Sequence, residues 1–181
     1  MKPILIILAM LAASFALMPT DLNAQKFPPL DKSPVDISYF RVNKQALAKV
    51  TYGRPQKNGR EIFGNLVPYG KIWRTGANEC TEIKFFKDVI LGGQELTAGA
   101  YALFTIPGEE KWTIIINKGV DQWGAFGYDS AEDALRLEVP VSRMPESVEA
   151  FTITFAETEN GGANLVLAWD TTKVEVPVAA K

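Results

Sequence analysis

Period-two alternation, interrupted every few residues by glycine or proline, constrains this chain more than any other feature. Phe151, Ile153 and Phe155 alternate with Thr152 and Thr154. Leu135, Leu137, Val139 and Val141 fall on one side of a run whose other side carries Arg136 and Glu138. Successive side chains of a strand point to opposite faces, so such runs bury one face and wet the other. Residues 81–86 alternate in the same way, residues 46–52 stop at Gly53, and residues 89–91 run into the tight pair Gly92-Gly93. Residues 100–106 end at Pro107-Gly108 and residues 112–116 follow at once, which predicts a hairpin. Asn160-Gly161-Gly162 predicts a second hairpin, from 151–155 to Leu165, Leu167 and Trp169, and Val174, Val176 and Val178 a last strand. Pro140 and Pro177 lack an N–H for the ladder, which places both at sheet edges or bulges. Helical signal is confined to Ser130 with Asp133, a cap for one or two short turns over 131–136. The expectation is an all-β chain: an antiparallel β-sandwich or jelly-roll-like fold, with at most one or two short helical turns, in a single domain over 35–178.

The first 34 residues lie outside that pattern. Lys2 precedes an apolar run over 4–18 broken only by Ser14, and residues 19–24 form a polar exit ending at Ala24. Fifteen apolar residues fall short of the ~20 that a membrane-spanning helix needs. The segment reads as a secretory signal peptide, 1–24, cut after Ala24. A Pro-rich linker, 25–34, carries Pro28, Pro29 and Pro34. The protein is therefore expected to be exported, to periplasm or medium, with no stable membrane insertion once the leader is removed.

What is missing narrows the chemistry. There is no histidine, so Ser-His-Asp and Cys-His catalysis are excluded and the commonest metal ligand is absent. The single cysteine, Cys80, excludes an intrachain disulfide and is read as a small buried hydrophobe. A formal net charge of −2 argues against a nucleic-acid partner. Asp121, Asp129, Glu132 and Asp133 form a loose acidic group without Ca²⁺-loop spacing, read as a solvated face. Neither a cofactor nor a metal is expected.

One stretch breaks the strand pattern. Residues 53–71 show no convincing strand period, and long irregular segments inside compact domains are often functional. The wider block 53–79 holds five glycines and has a local charge of +3 inside a net negative chain. Tyr52, Phe63, Tyr69 and Trp73 are interleaved with its cations. Arginine offers a planar fork that fits carboxylate, phosphate or sulfate. The candidate ligand-binding residues are therefore Arg54, Arg60, Arg74, Asn78 and Glu79 for polar contacts, with Tyr69 and Trp73 as flat platforms. Asn58-Gly59 also fits a simple turn between short strands, and Arg74 with Glu79 also fits a buried structural pair. The second aromatic loop, 123–128, either borders the same cleft or packs.

Tyr52-Gly53-Arg54-Pro55, Gly59-Arg60-Glu61-Ile62-Phe63-Gly64 and the string W-R-T-G-A-N-E at 73–79 resemble an uncharacterised family, as do 98–107 and 112–117. Its members look like exported bacterial β-rich proteins. The resemblance covers roughly 33–178 and implies a β-rich fold and export, without an activity. The leading functional expectation is a binding module for a small polar, anionic or carbohydrate ligand. Two alternatives accompany it: a histidine-independent hydrolase or lyase of envelope glycans, with Glu79 as acid or base, Arg74 tuning it and Asp121 as its only available partner, and a structural or interaction protein of the cell envelope.

Overall fold

The computed structural model describes residues 26–181. The expected signal peptide lies outside them, apart from which the chain from Asp31 to Lys181 forms one compact unit. None of the described helices is long and apolar enough to cross a membrane. The unit is an antiparallel β-sandwich of two sheets. Strands β1 (Val35–Val42), β2 (Gln45–Gly53), β3 (Glu82–Phe85), β6 (Gly99–Ile106), β7 (Lys111–Asn117) and β8 (Asp133–Pro140) build the larger sheet in the order β1-β2-β3-β6-β7-β8. Strands β4 (Val89–Leu91), β5 (Gln94–Leu96), β9 (Ser142–Glu157) and β10 (Ala163–Ala180) build the smaller one, ordered β5-β4-β10-β9.

Alternation turns directly into the core. Val50, Ile83, Phe85, Leu103, Ile114 and Ile116 from the larger sheet meet Phe151, Ile153, Leu165, Leu167, Val174 and Val176 from the smaller, all essentially inaccessible to water. Each such side chain stabilises the fold by ~1.5–3 kcal/mol relative to leaving it in water. Both expected hairpins form, β6–β7 and β9–β10. Pro140 sits on β8, an edge strand, where no ladder donor is missed.

Three local expectations are corrected. Residues 165–169 and 174–178 belong to one continuous strand, β10, because register shifts at Ala168/Asp170 and Asp170/Thr172 carry it through the break that Asp170-Thr171-Thr172 suggests. Its first part pairs with β9, and Val178–Ala180 with β4, so Pro177 lies between the two ladders. The helical turn is a single 3₁₀ turn, Ser130–Glu132, capped by the Asp129 carboxylate, which accepts from the Ala131 N–H. Asp133 onward is β8, where alternation of Leu135 with Leu137 prevails over the cap signal. Asn58 (φ 49°) and Gly59 (φ 70°) do make a tight turn, closed by Arg60 N–H on the Lys57 carbonyl, but no hairpin strands flank it.

Strands β6 and β7 are buried on both faces. Ala102, Phe104 and Ile115 point away from the sandwich into a second, small cluster with Cys80, roofed by Ile72, Ala125 and Tyr128. That is why 100–106 and 112–116 are almost entirely apolar, with no polar face. The roof consists of two irregular segments, one around 72–80 and one around 121–128, and every candidate cavity discussed below borders them.

Burial also sets an alkaline limit on stability. It pushes the Tyr52 phenol from 10.0 up to about 12, against the Ile153 N–H bond that favours ionisation. Burial first, and the Glu82 carboxylate second, push the Cys80 thiol from 9.0 up to about 12. Both groups fold in their neutral forms, so their contribution is complete below the unfolded-state values and is lost as pH rises through the folded ones. The urea midpoint is expected to stay level from neutrality to about pH 9 and to fall steadily toward about pH 12. A midpoint level to about pH 12 contradicts this burial.

Candidate functional site

The segment 73–79 runs beside β6 and against the end of β2 and is tied down at almost every residue. Trp73 exchanges both backbone bonds with Thr105 of β6 (2.8 and 3.0 Å). The Arg74 carbonyl accepts from Thr81 N–H (3.1 Å), Ala77 N–H donates to the Gly53 carbonyl (3.2 Å), and the Asn78 carbonyl accepts from Gly124 N–H (3.1 Å). Glu79 forms an isolated antiparallel bridge with Trp123. Thr75 is fully buried with φ 58°, a left-handed conformation that a β-branched residue rarely adopts. Such backbone costs ~1–3 kcal/mol and persists only where its surroundings over-determine it. Here the Thr75 carbonyl accepts from the Thr81 hydroxyl (2.7 Å), and the Thr75 and Thr105 hydroxyls are 3.1 Å apart.

The packing explains why this segment comes so close to the sheet. A Cβ on Gly53 would fall on the Ala77 carbonyl oxygen, and one on Gly76 would stand 2.9 Å from both the Gly53 carbonyl and the Thr81 hydroxyl. Two glycines thus let strand β2 and the loop touch backbone to backbone.

On one side of this contact lies a cavity of about 360 Å³. Arg60, Trp73, Arg74 and Asn78 line it, with Leu66 and Trp169. Two arginines and no carboxylate residue line it. The Arg74 Nη1 lies beside the second aromatic loop, where a Cβ on Gly124 would stand 3.5 Å from it. Arg74 is half-buried, its Nε is fully enclosed without an acceptor, and it forms no ion pair among the described residues. Arg60 is exposed and donates through Nε to the Lys57 carbonyl (2.9 Å). Asn78 donates to the exposed Asp31 carboxylate (3.1 Å) at the rim. The Asp31 carboxyl is held below its ordinary value, first by the Ser33 N–H and then by Asn78.

On the other side lies a cavity of about 440 Å³, bordered by Glu79, Glu82, Asp121, Gln122 and Trp123. Alternate residues of the loop therefore serve different cavities: Asn78 the first, Glu79 the second.

The seven sequence-predicted residues are thus divided. Arg60, Trp73, Arg74 and Asn78 come together. Glu79 lines the neighbouring cavity and makes no pair with Arg74, so the expected Arg74–Glu79 brace is not formed. Arg54 is a brace elsewhere: its Nη1 bonds Asp36 (2.8 Å) and its Nη2 the Thr152 hydroxyl (3.0 Å), joining β1 to β9. Tyr69 packs over Gly64, where a Cβ would stand 3.0 Å from its ring, and lines neither cavity. Trp73 is both wall and core: it stacks on Trp169 (6.1 Å, 15°) and meets Phe63 and Trp112 edge to face. Sequence reasoning missed Trp169 as a wall, because its alternation with Leu165 and Leu167 signals only core.

The acidic residues are also divided. Asp121 borders the second cavity, Asp129 caps the 3₁₀ turn, and Asp133 accepts from Asn117 and from the Tyr128 hydroxyl. No group of three or more such side chains stands close enough to hold a metal among the described residues. In the second aromatic loop, Trp123 borders a cavity whereas Ala125 and Tyr128 pack on the Cys80 cluster.

A model of the family described as Protein of unknown function (DUF2911) matches residues 33–178. No curated protein and no solved structure matches the chain.

Proposed function

Because this chain belongs to the DUF2911 family, whose description carries no chemistry, we propose from the site alone that it is an exported binding module for a small anionic ligand. The ligand class is a carboxylate-, phosphate- or sulfate-bearing molecule with a ring or apolar body, of which a sugar acid is the simplest example. The observation that supports this is the Arg74 side chain: it lines a cavity without carboxylates and makes no hydrogen bond or ion pair among the described residues. Arg54, by contrast, spends its guanidinium on Asp36 and Thr152, although its Nε too is enclosed without an acceptor. Arg60 and Asn78 supply further donors at the rim, and Trp73 and Leu66 supply apolar wall for the ligand body.

The test is a melting series. Glucuronate at about 100 times its dissociation constant stabilises by ~2.7 kcal/mol, which for a domain of this size raises Tm by about 5–10 °C. Glucose, which lacks the charge, is expected to leave Tm unchanged. Arg74→Met, which keeps the apolar stem, is expected to abolish the glucuronate shift and to melt at or slightly above the parent temperature. A Tm well below the parent's would instead identify Arg74 as a brace, and equal stabilisation by glucose would remove the anion from the reading.

The alternative of a glycan hydrolase or lyase keeps Glu79 as acid or base beside Asp121 and Trp123, and does so without Arg74, which lines the other cavity.

A further inference from the structure

The second cavity has the opposite chemistry. Glu79 and Trp123 stand opposite each other in an antiparallel bridge, which puts the carboxylate and the indole on the same side. Trp123 is 60% exposed although it borders a concavity of about 440 Å³. The floor is the Thr51–Glu82 cross-strand pair of β2 and β3. Lys49 and Lys84 form the next pair along that face, and neither lines the cavity.

The polar groups around the cavity are short of donors. The Glu79 and Asp121 carboxylates accept no hydrogen bond and make no ion pair among the described residues, whereas the Gln122 amide folds back between Gly119 and Gly127 of its own loop, donating to the Gly119 carbonyl. Glu82 is partly used, accepting from the Asp121 N–H (3.0 Å). Three carboxylates border the cavity and no Lys or Arg does. A metal ion is disfavoured because the carboxylates are not gathered into one ligating group. A neutral sugar would leave the charge uncompensated.

We infer that this cavity binds a small organic cation with N–H donors, an alkylammonium or a guanidinium. Its charge and its N–H groups are met by Glu79 and Asp121, and its alkyl part by the face of Trp123. An aromatic face within reach of such a cation adds electrostatic attraction to the apolar contact. This site is distinct from the anion cavity and does not depend on it.

The test follows the Trp123 indole N–H by NMR, assigned through Trp123→Phe. n-Butylammonium is expected to shift that resonance saturably, and n-butanol is not. Glu79→Gln, at an exposed position, is expected to weaken n-butylammonium by about tenfold, the loss of one charge-assisted hydrogen bond, and Asp121→Asn to weaken it in the same direction. Arg60→Met is expected to leave it unchanged, which separates this outcome from the fate of the anion cavity. Equal saturation by n-butanol would show an apolar cleft only. Saturation by methyl β-glucoside but not by n-butylammonium would show a neutral-sugar site. Either of these, or the absence of any saturable shift, overturns the inference.

Discussion

Trp169→Ala is expected to destabilise the protein by ~3–5 kcal/mol, the range for emptying a fully buried indole site. Trp169 is 1% exposed and lies where the two sheets meet the loop. It stacks on Trp73, meets Phe63 edge to face (6.3 Å, 89°) and packs on Phe151 (5.7 Å). Its Nε1 donates to the Glu149 carbonyl (3.1 Å). Removing it opens a void that rigid neighbours cannot fill, since the remaining aromatics already contact one another. Trp73 also loses its stacking partner, so glucuronate binding is expected to weaken along with stability. Urea unfolding of the variant and of Trp169→Phe checks this. The phenylalanine should recover part of the loss in stability and not the Glu149 hydrogen bond. A loss below ~1.5 kcal/mol for Trp169→Ala would show that the cluster is not packed as described.

Gly53→Ala is the second large effect. Most glycine-to-alanine changes outside positive φ are tolerated, yet here the added methyl meets backbone, which cannot rotate away. Overpacking of this kind costs ~1–3 kcal/mol and occasionally more. The Ala77 N–H bond to the Gly53 carbonyl would be stretched at the same time. Because the two cavities flank this contact, the variant is expected to lose both glucuronate and n-butylammonium binding while keeping its β circular dichroism. Gly161→Ala serves as the control: it sits at φ 80° with open space around it in the turn between β9 and β10, and neither it nor its chain neighbours line either cavity, so it carries only local backbone strain. Unaltered binding in Gly53→Ala would mean that the loop does not depend on that close approach.

The sandwich was readable because strand alternation is a local signal that survives into the tertiary structure. Leu135 with Leu137 and Phe151 with Ile153 each point where their period places them, into the shared core or its margin. What was not readable is how β10 continues through Asp170, since bulges are set by partner strands and leave no composition signal. The site was legible in part for the same reason. Charge and glycine content marked 53–79 as an excursion, and four of the seven candidate residues do share a cavity. Arg54 was indistinguishable from Arg74 in sequence, because its partners Asp36 and Thr152 are distant in the chain. The separation of Asn78 from Glu79 follows from the bridge between Glu79 and Trp123, a contact with a loop more than forty residues away. Tyr69 illustrates the same limit: only the fold shows that its ring lies over Gly64.

The most direct test of the anion site is a crystal soaked in selenate, whose selenium is located by anomalous scattering. The expected result is a peak in the cavity of Arg60, Arg74 and Asn78, within hydrogen-bond distance of the Arg74 guanidinium, that disappears in crystals of Arg74→Met. Ordered selenate elsewhere on the protein with this cavity vacant, or a peak that survives Arg74→Met, would contradict it.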